Sequence, residues 1–388
     1  LHPVAHSFPT RRSSDLPEFS TIERISDGNF VVAPTMSIQL AVDAAPVSGT
    51  VEVSAGSYIE QVEIAKDLTL QGAGVGSTTI VAPPNGMTDF FTTSIDNYPV
   101  VYVHDANDVT VRDLTVDGDE QGNLNHRFMG IGYYNAGGTV TEVRTVRTRH
   151  PLNNQGTPGD TSDDTVSGVQ GGNGIYAYSD DGVSRSMTVT NSLVEDFQKN
   201  GITVNAADNT ATAVNISGNV VIGSGTLSSA FGEPAQNGIQ VWGNLISGSI
   251  DGNTLSDIGY DGTPTGSYTA ASTILDLFTG ATISNNVIPN CQIGIYKYGG
   301  PGQIAGNQVT ITERVGFFSS AIIATDPPER IPAPFPESLP KSSTALPKST
   351  VISVLVDNNT LTFSGTDNAD TYGVEAYAGY FDTFDTTA

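Results

Sequence analysis

Along most of this chain apolar and polar residues alternate in short runs, and two kinds of run recur in a fixed order. The first reads NGIYAYSD (173–180), NGITVNAA (200–207), NGIQVWGN (237–244), STILDLFTG (272–280), IGIYKYGG (293–300) and YGVEAYAG (372–379). Looser copies stand at MGIGYYNA (129–136) and SSAIIATD (319–326). The second is an apolar residue, two small residues, Asn and another apolar residue. It appears as ISGNVV (216–221), IDGNTL (250–255), ISNNVI (283–288), IAGNQV (304–309) and VDNNTL (356–361). Alternation with period two predicts strands, and the small residues and Asn between them predict tight turns. A unit of this kind repeated along the chain predicts a stacked array rather than an ordinary globular core.

The spacing narrows the array to one kind. The aligned residues Ile131, Ile175, Ile202, Ile239, Ile274, Ile295, Ile322 and Val374 are separated by 44, 27, 37, 35, 21, 27 and 52 residues. The shortest interval has room for three short strands and three turns but not for a helix, and the dense Leu of a leucine-rich repeat is missing. The expected fold is therefore all-β, a right-handed parallel β-helix in which each strand pairs with its equivalent one coil away, roughly 4.8 Å along the axis. About nine coils are expected over residues 51–382, behind an N-terminal capping helix at Ser37–Ala45. Ser37 is a good N-cap, and Ile38, Val42 and Ala45 recur at helical spacing.

At this point the residues resemble a known family. SIQLAVDAAPVSGTVEVSAGSYIEQVEIAKDLTLQGAGVGSTTIVAP (37–83) is similar to the capping helix and first coils of the pectin-lyase-like superfamily, with Gly56, Tyr58 and Glu60 as its G-x-Y-x-E element. The later repeats resemble the generic β-helix repeats of pectate lyases, polygalacturonases, alginate epimerases and NosD-like periplasmic proteins. The likeness covers residues 37–388 and speaks to fold, because function lives in sites grafted onto it. Several enzyme signatures are absent: the Asp-Pro-His of alginate epimerases, the Asn-Thr-Asp, Gly-His-Gly and Arg-Ile-Lys set of polygalacturonases, and the pectin methylesterase elements.

Residues 1–16 are set apart. HSFPTRRSSDL (6–16) reads as the translation of a short-read sequencing adaptor, so this segment is expected to be an artefact of metagenomic assembly that packs against nothing. Residues 17–36 form a lead-in, and 37–388 the β-helix domain, with a Pro-rich exposed loop at 326–349. The last residues follow directly on a repeat strand, so truncation is expected there as well.

Alternation also sorts the side chains by face. In NGIQVWGN, Ile239 and Val241 point inward, and Gln240 and Trp242 outward. Carried along the array, this gives an outward column of His104, Tyr134, Tyr178, Asn205, Trp242, Leu277, Tyr298, Thr325 and Tyr377. Its neighbour holds Tyr102, Gly132, Tyr176, Thr203, Gln240, Leu275, Tyr296, Ile323 and Glu375. Exposed rings suit the apolar faces of sugars, so His104, Tyr134, Tyr176, Tyr178, Trp242, Tyr296 and Tyr298 are expected to bind substrate in an open groove. Stacking that merely stiffens the sheet, or burial under a loop, is the competing reading. Inserts at 117–128, 150–172, 224–236 and 259–271 all fall at the turn that leads into an Ile strand, and would wall the groove. The resemblance implies a substrate cleft at the same face and turn.

Charge shapes the expected partner. With 16 Lys and Arg against 41 Asp and Glu the net charge is −25, which repels nucleic acid and anionic membranes, so neither is an expected partner. No apolar run approaches the ~20 residues of a membrane span, and the single Cys291 excludes an internal disulfide. A monomer of extracellular or periplasmic location fits this composition. Five of the arginines, Arg112, Arg127, Arg144, Arg147 and Arg149, nevertheless cluster in two coils beside His104, His126 and His150. Removing a proton beside a uronate carboxylate needs a base, a cation and often Ca²⁺. Arg127, Arg149, His150 and Lys199 are the candidate catalytic residues of a lyase. Asp117, Asp119 and Glu120, or Asp160, Asp163 and Asp164, would supply oxygen ligands to Ca²⁺. Plain ion pairing between neighbouring coils is the alternative. Hydrolysis would require facing carboxylates, for which Asp180 with Glu233 or Asp261 are conceivable. The functional expectation is binding, with lyase-type cleavage, of a uronate-containing or sulfated polysaccharide. A noncatalytic adhesin or surface structural module is the second class. Stacked Asn at 219, 253, 286, 307 and 359, with Ser192, are read as structural, and Asp276 and Lys297, inward in adjacent coils, as a buried ion pair.

Overall fold

The structure is a computed structural model that describes residues 23–26, 29–84, 86–125, 127–261, 270–311, 319–325, 354–363 and 371–377. Residues 1–16, His126 and the Pro-rich segment 326–349 lie outside the described residues. The rest winds as a parallel β-helix. Ten parallel strands stack into one sheet, from Val62–Ile64 and Asp96–His104 at one end to Ser319–Thr325 and Thr371–Tyr377 at the other. The short strand Phe91–Thr92 adds to this sheet in antiparallel sense. A second, 20-stranded sheet holds the other two strands of each coil. The two strand columns merge in it because Val109–Asp117 and Gly138–Val146 run through both. The coils advance through parallel crossovers, which take the right-handed sense.

The register is that of the aligned Ile residues. Ile131 pairs with Ile175, then Ile202, Ile239, Ile274, Ile295, Ile322 and Val374 in succession. The Ile residues of this column are fully buried, so the axis of the solenoid is its core. A one-residue slip would turn the whole column to the outside, and burial on the inner face is what fixes the register.

The N-terminal end is closed by the helix Ile38–Ala44, with Ser37 accepting the Leu40 N–H and Ile38, Ala41 and Val42 buried. The G-x-Y-x-E element explains itself here. The Glu60 carboxylate accepts the backbone N–H groups of Ile38 (2.8 Å) and Gln39 (3.2 Å) and the Ser37 hydroxyl (2.9 Å), which neutralises the orphan donors of the first turn. Ahead of the helix, Asn29–Val32 already pairs in parallel with Gly49–Val53, so part of the lead-in belongs to the sheet.

The second repeated phrase is a hydrogen-bonded ladder. The Oδ1 of Asn253 accepts the Asn219 N–H at 2.9 Å, and Asn286, Asn307 and Asn359 repeat the contact at 3.0 Å each. Each amide also donates to a backbone carbonyl, Asn253 to Ile216 and Asn286 to Ile250. The residue before each ladder position has positive φ: Asn191, Gly218, Gly252, Asn285, Gly306 and Asn358. That is why Gly and Asn alternate there, since both tolerate the left-handed conformation. Deeper in, Lys297 Nζ meets Asp276 Oδ2 at 2.6 Å with both side chains fully buried, as the inward register requires.

Candidate functional site

The aromatic columns lie in the expected register on the outer face of the ten-strand stack. Tyr134, Tyr178, Asn205, Trp242, Leu277 and Tyr298 are consecutive partners, as are Tyr176, Thr203, Gln240, Leu275 and Tyr296. They do not line an open groove. Tyr176, Tyr178, Trp242 and Tyr298 are only 7, 5, 7 and 5 % exposed, whereas His104, Tyr134 and Tyr296 are half-buried. The rings cover one another, because strand spacing sets neighbouring rings within stacking range. Phe91 stacks on Tyr134 at 4.5 Å and on Tyr102 at 5.3 Å, while Phe90 stacks on Tyr102 at 4.8 Å. Tyr102 in turn stacks on His104 at 4.6 Å, whose ring nitrogens meet Glu63 and Asp105. Phe278 packs edge-on against Tyr298. Burial pushes the Tyr176 hydroxyl up to about 12 and raises Tyr102 and Tyr178 as well. These rings form a second apolar layer outside the sheet.

The arginine cluster is largely ion-paired. Arg147 Nε donates to Asp117 at 2.8 Å and its Nη1 to Asp119 at 2.9 Å. Arg149 is buried between Glu120 (2.9 Å) and Asp196, and also donates to the His150 carbonyl at 3.0 Å. Arg144 holds Glu195, and Arg112 holds Asp113. Guanidinium groups thus engage both oxygens of Asp117 and one oxygen each of Asp119 and Glu120, the three carboxylates proposed for Ca²⁺. Among the described residues no three His, Cys, Asp or Glu side chains converge on a metal position.

Of the four residues assigned to proton abstraction, the structure brings together only Arg149 and His150. His150 is buried, its backbone N–H held by Gln198 Oε1 at 2.8 Å. Arg127 stands apart on the outer face, donating to Thr93 Oγ1 (2.9 Å) and Ser94 Oγ (3.0 Å), and burial lowers its pKa. Lys199 is buried against the Ala235 carbonyl, and desolvation lowers its ammonium to about 8.

A cleft does exist, beside the aromatic face rather than on it. The inserts 150–172 and 224–236 enclose a space of about 750 Å³ above the third-strand residues Glu195 and Ile222. The first insert folds back on itself through Asn153 and Thr165, which exchange both backbone hydrogen bonds at 2.9 and 3.0 Å. The second turns through a 3₁₀ helix, Ser229–Phe231, whose Ser228 and Ser229 are held by Asp261. Glu233 ties the two inserts together: its carboxylate accepts the Val166 N–H of one and the Ser228 N–H of the other, each at 2.6 Å. At Gly168 the backbones touch, since a Cβ there would stand 2.1 Å from the Gly232 carbonyl oxygen. Glu233 and Asp261 are thus struts of the walls, and Asp180, the carboxylate that either would have to face for hydrolysis, accepts from Asn135 at 2.9 Å.

Phe231 stands at the rim of this cleft, 59 % exposed, with Leu152 across from it at 37 %. Alternation along the strands could not reveal Phe231, because it sits in an insert. The available signal was a single aromatic ring in an otherwise small and polar insert, SGTLSSAFGEPAQ.

No protein-family model matches the chain, and no curated protein matches it. Solved structures do resemble it. The A-module of the mannuronan C-5 epimerase AlgE4 of Azotobacter vinelandii is 17% identical, over 88% of this chain and 90% of that one, with a TM-score of 0.42. The catalytic domain of a GH87 α-1,3-glucanase in complex with nigerose is 14% identical, over 90% and 70%, with a TM-score of 0.38. A family 28 exopolygalacturonase of Yersinia enterocolitica is 12% identical, over 88% and 74%, with a TM-score of 0.34. The β-helix of this chain is read from its own strand register.

Proposed function

We propose that this chain is an extracellular β-helix that binds a polysaccharide in the cleft between its inserted turns. The observation that carries the reading is that cleft itself: a preformed concave space with an exposed ring at the rim and hydroxyl, amide and carboxylate groups in its walls. A ring face gains apolar contact with a sugar while convergent polar groups fix its hydroxyls. Binding is favoured over lyase-type cleavage. Arg149 is committed to two carboxylates, and neither Arg127 nor Lys199 lines the cleft. The expectation of a uronate or sulfated chain rested on the arginines, and their pairing removes its main support.

The test is a glycan panel read by calorimetry and by absorbance of unsaturated product. Phe231→Ala should weaken binding about tenfold or more, the scale of a lost stacking contact plus its apolar burial, with unchanged melting behaviour. Formation of unsaturated product would overturn the binding-only reading. The scaffold reading is favoured by the burial of Tyr176, Tyr178, Trp242 and Tyr298. It prevails if no glycan binds the intact chain.

A further inference from the structure

One outward column of the solenoid, in the 20-stranded sheet, bears neither ring nor charge. Thr50, Thr69, Thr110, Thr139 and Thr188 are consecutive partners in it, and Asn215, Ser249 and Thr282 continue it. The residue after each of them, from Val51 to Ile283, is fully buried, so the column itself faces solvent. Two residues further along the same strands, Thr141, Thr190, Ser217, Asp251 and Ser284 form a second column. Its one charge, Asp251, accepts the Ser284 hydroxyl at 2.6 Å. Strand propensity does not account for this composition. Outward positions of the third strands hold Leu193, Val220, Thr254, Val287 and Gln308, and those of the first strands hold rings. Among the described residues the Thr hydroxyls of the first column make no hydrogen bond, not even to one another. Distance is the reason. Adjacent parallel strands stand about 4.8 Å apart, too far for a direct bond but close to the ~4.6 Å that a tetrahedral water imposes on two partners held at about 2.8 Å each. Each gap in the column suits one bridging water.

We infer that this face binds the surface of ice. In ice every water holds its neighbours tetrahedrally, so second neighbours stand at the spacing that bridges the Thr column. The hydroxyls hold water at lattice positions, and the Thr methyl groups between them exclude water lying off the lattice. The second column, about 6.7 Å away along the strands, extends the match in the other direction. Charge selects the partner as well. An uncharged column on a chain of net charge −25 suits a neutral surface, since ionised groups would orient water about themselves. A crystalline sugar surface is gripped by ring stacking, and neither column holds a ring. The face lies apart from the cleft, and the inference does not rest on the polysaccharide reading.

The experiment grows ice slowly from a dilute solution of the full chain and compares the protein in the ice with that in the remaining liquid. A protein without affinity is rejected into the liquid. The expected result is that the full chain is taken up by the ice and slows the coarsening of polycrystalline ice. Thr139→Lys and Thr188→Lys, made singly, should lose both effects, because each sets a charged side chain into the middle of the column. Both substitutions point outward, so melting should be unchanged, and either variant that folds tests the face. Thr254→Lys, on the outward side of a third strand, should be taken up as the parent is. The inference fails if the parent is rejected as an inert protein is, if the column variants are taken up as fully as the parent, or if Thr254→Lys is lost with them. A parent that is rejected by ice yet sediments with crystalline cellulose also overturns it, and the face then serves a neutral glycan. The cleft is tested separately, by Phe231→Ala.

Discussion

Lys297→Met is the most informative single change to the fold. It keeps most of the side-chain volume and removes the charge facing Asp276. At 2.6 Å in an effective dielectric of ~20 the pair attracts by about 6 kcal/mol, while burying two ions costs several kcal/mol each. The pair as a whole is therefore close to neutral against an apolar pair. Losing one partner is different, because Asp276 would keep only the Thr279 N–H and hydroxyl at 3.1 and 2.8 Å. Lys297→Met should cost about 3–5 kcal/mol, and Asp276→Leu with Lys297→Met should recover most of it. In the single variant the lone buried carboxyl titrates above its unfolded pKa. The folded state then binds the extra proton, and the deficit should shrink as pH falls toward ~4. Because a solenoid is held by nearest-neighbour contacts, the loss should concentrate in the coils around the pair. Urea unfolding with hydrogen exchange resolved along the chain measures both. A loss below about 1 kcal/mol, or a double variant less stable than either single one, would refute the reasoning.

Other expectations follow from single contacts. Asn286→Ala strands the Ile250 carbonyl and the Asn253 N–H in a buried turn, and should cost about 2–4 kcal/mol by urea titration. Trp242→Ala removes a ring that is only 7 % exposed, so it should lower stability by about 3–5 kcal/mol instead of acting on glycan binding alone. Lys199 has its pKa lowered by burial from 10.5 to about 8, so across that window the unfolded chain binds the extra proton and stability rises with pH. Lys199→Met should flatten the slope and stabilise the protein by up to about 3 kcal/mol below its start, seen by comparing melts of the two proteins. Gly168→Ala forces a Cβ against the Gly232 carbonyl and should part the two inserts, read as faster proteolysis at 150–172 with the solenoid intact.

Much of the fold was legible because the side-chain period and the coil repeat are both written in the sequence. Ile at one position per coil fixed the register, and Asp276 and Lys297 at equivalent positions fixed each other. The Asn phrase showed its turn, although not why Gly or Asn precedes it; that follows from a positive φ which strings of letters do not display. The exposure of the rings was misjudged for a physical reason. Alternation tells which face a side chain leaves from, not what lies over it, and Phe90, Phe91 and Phe278 come from outside the aligned positions. For the arginines two readings stood open, catalysis and pairing between neighbouring coils, and the structure shows the pairing. Clustering was visible, but Arg147 with Asp117 and Arg149 with Asp196 form only when coils are stacked. The inserts 150–172 and 224–236 were legible as walls, but which of their residues line the space was not, because inserts carry no period.

The amide ladder bears on how the molecule would respond to force. Pulled along its axis, a solenoid must separate one coil from the next, and at each junction the strand pairings of the coil are loaded at once, side by side. From Asn219 to Asn359 an inner row of amide bonds shares that load. At the other end the row passes to Ser192, whose shorter side chain reaches the Val143 N–H at 3.2 Å. The row thus adds an inner bond at each junction from Val143 to Asn359, with its shortest side chain at the Ser192 step.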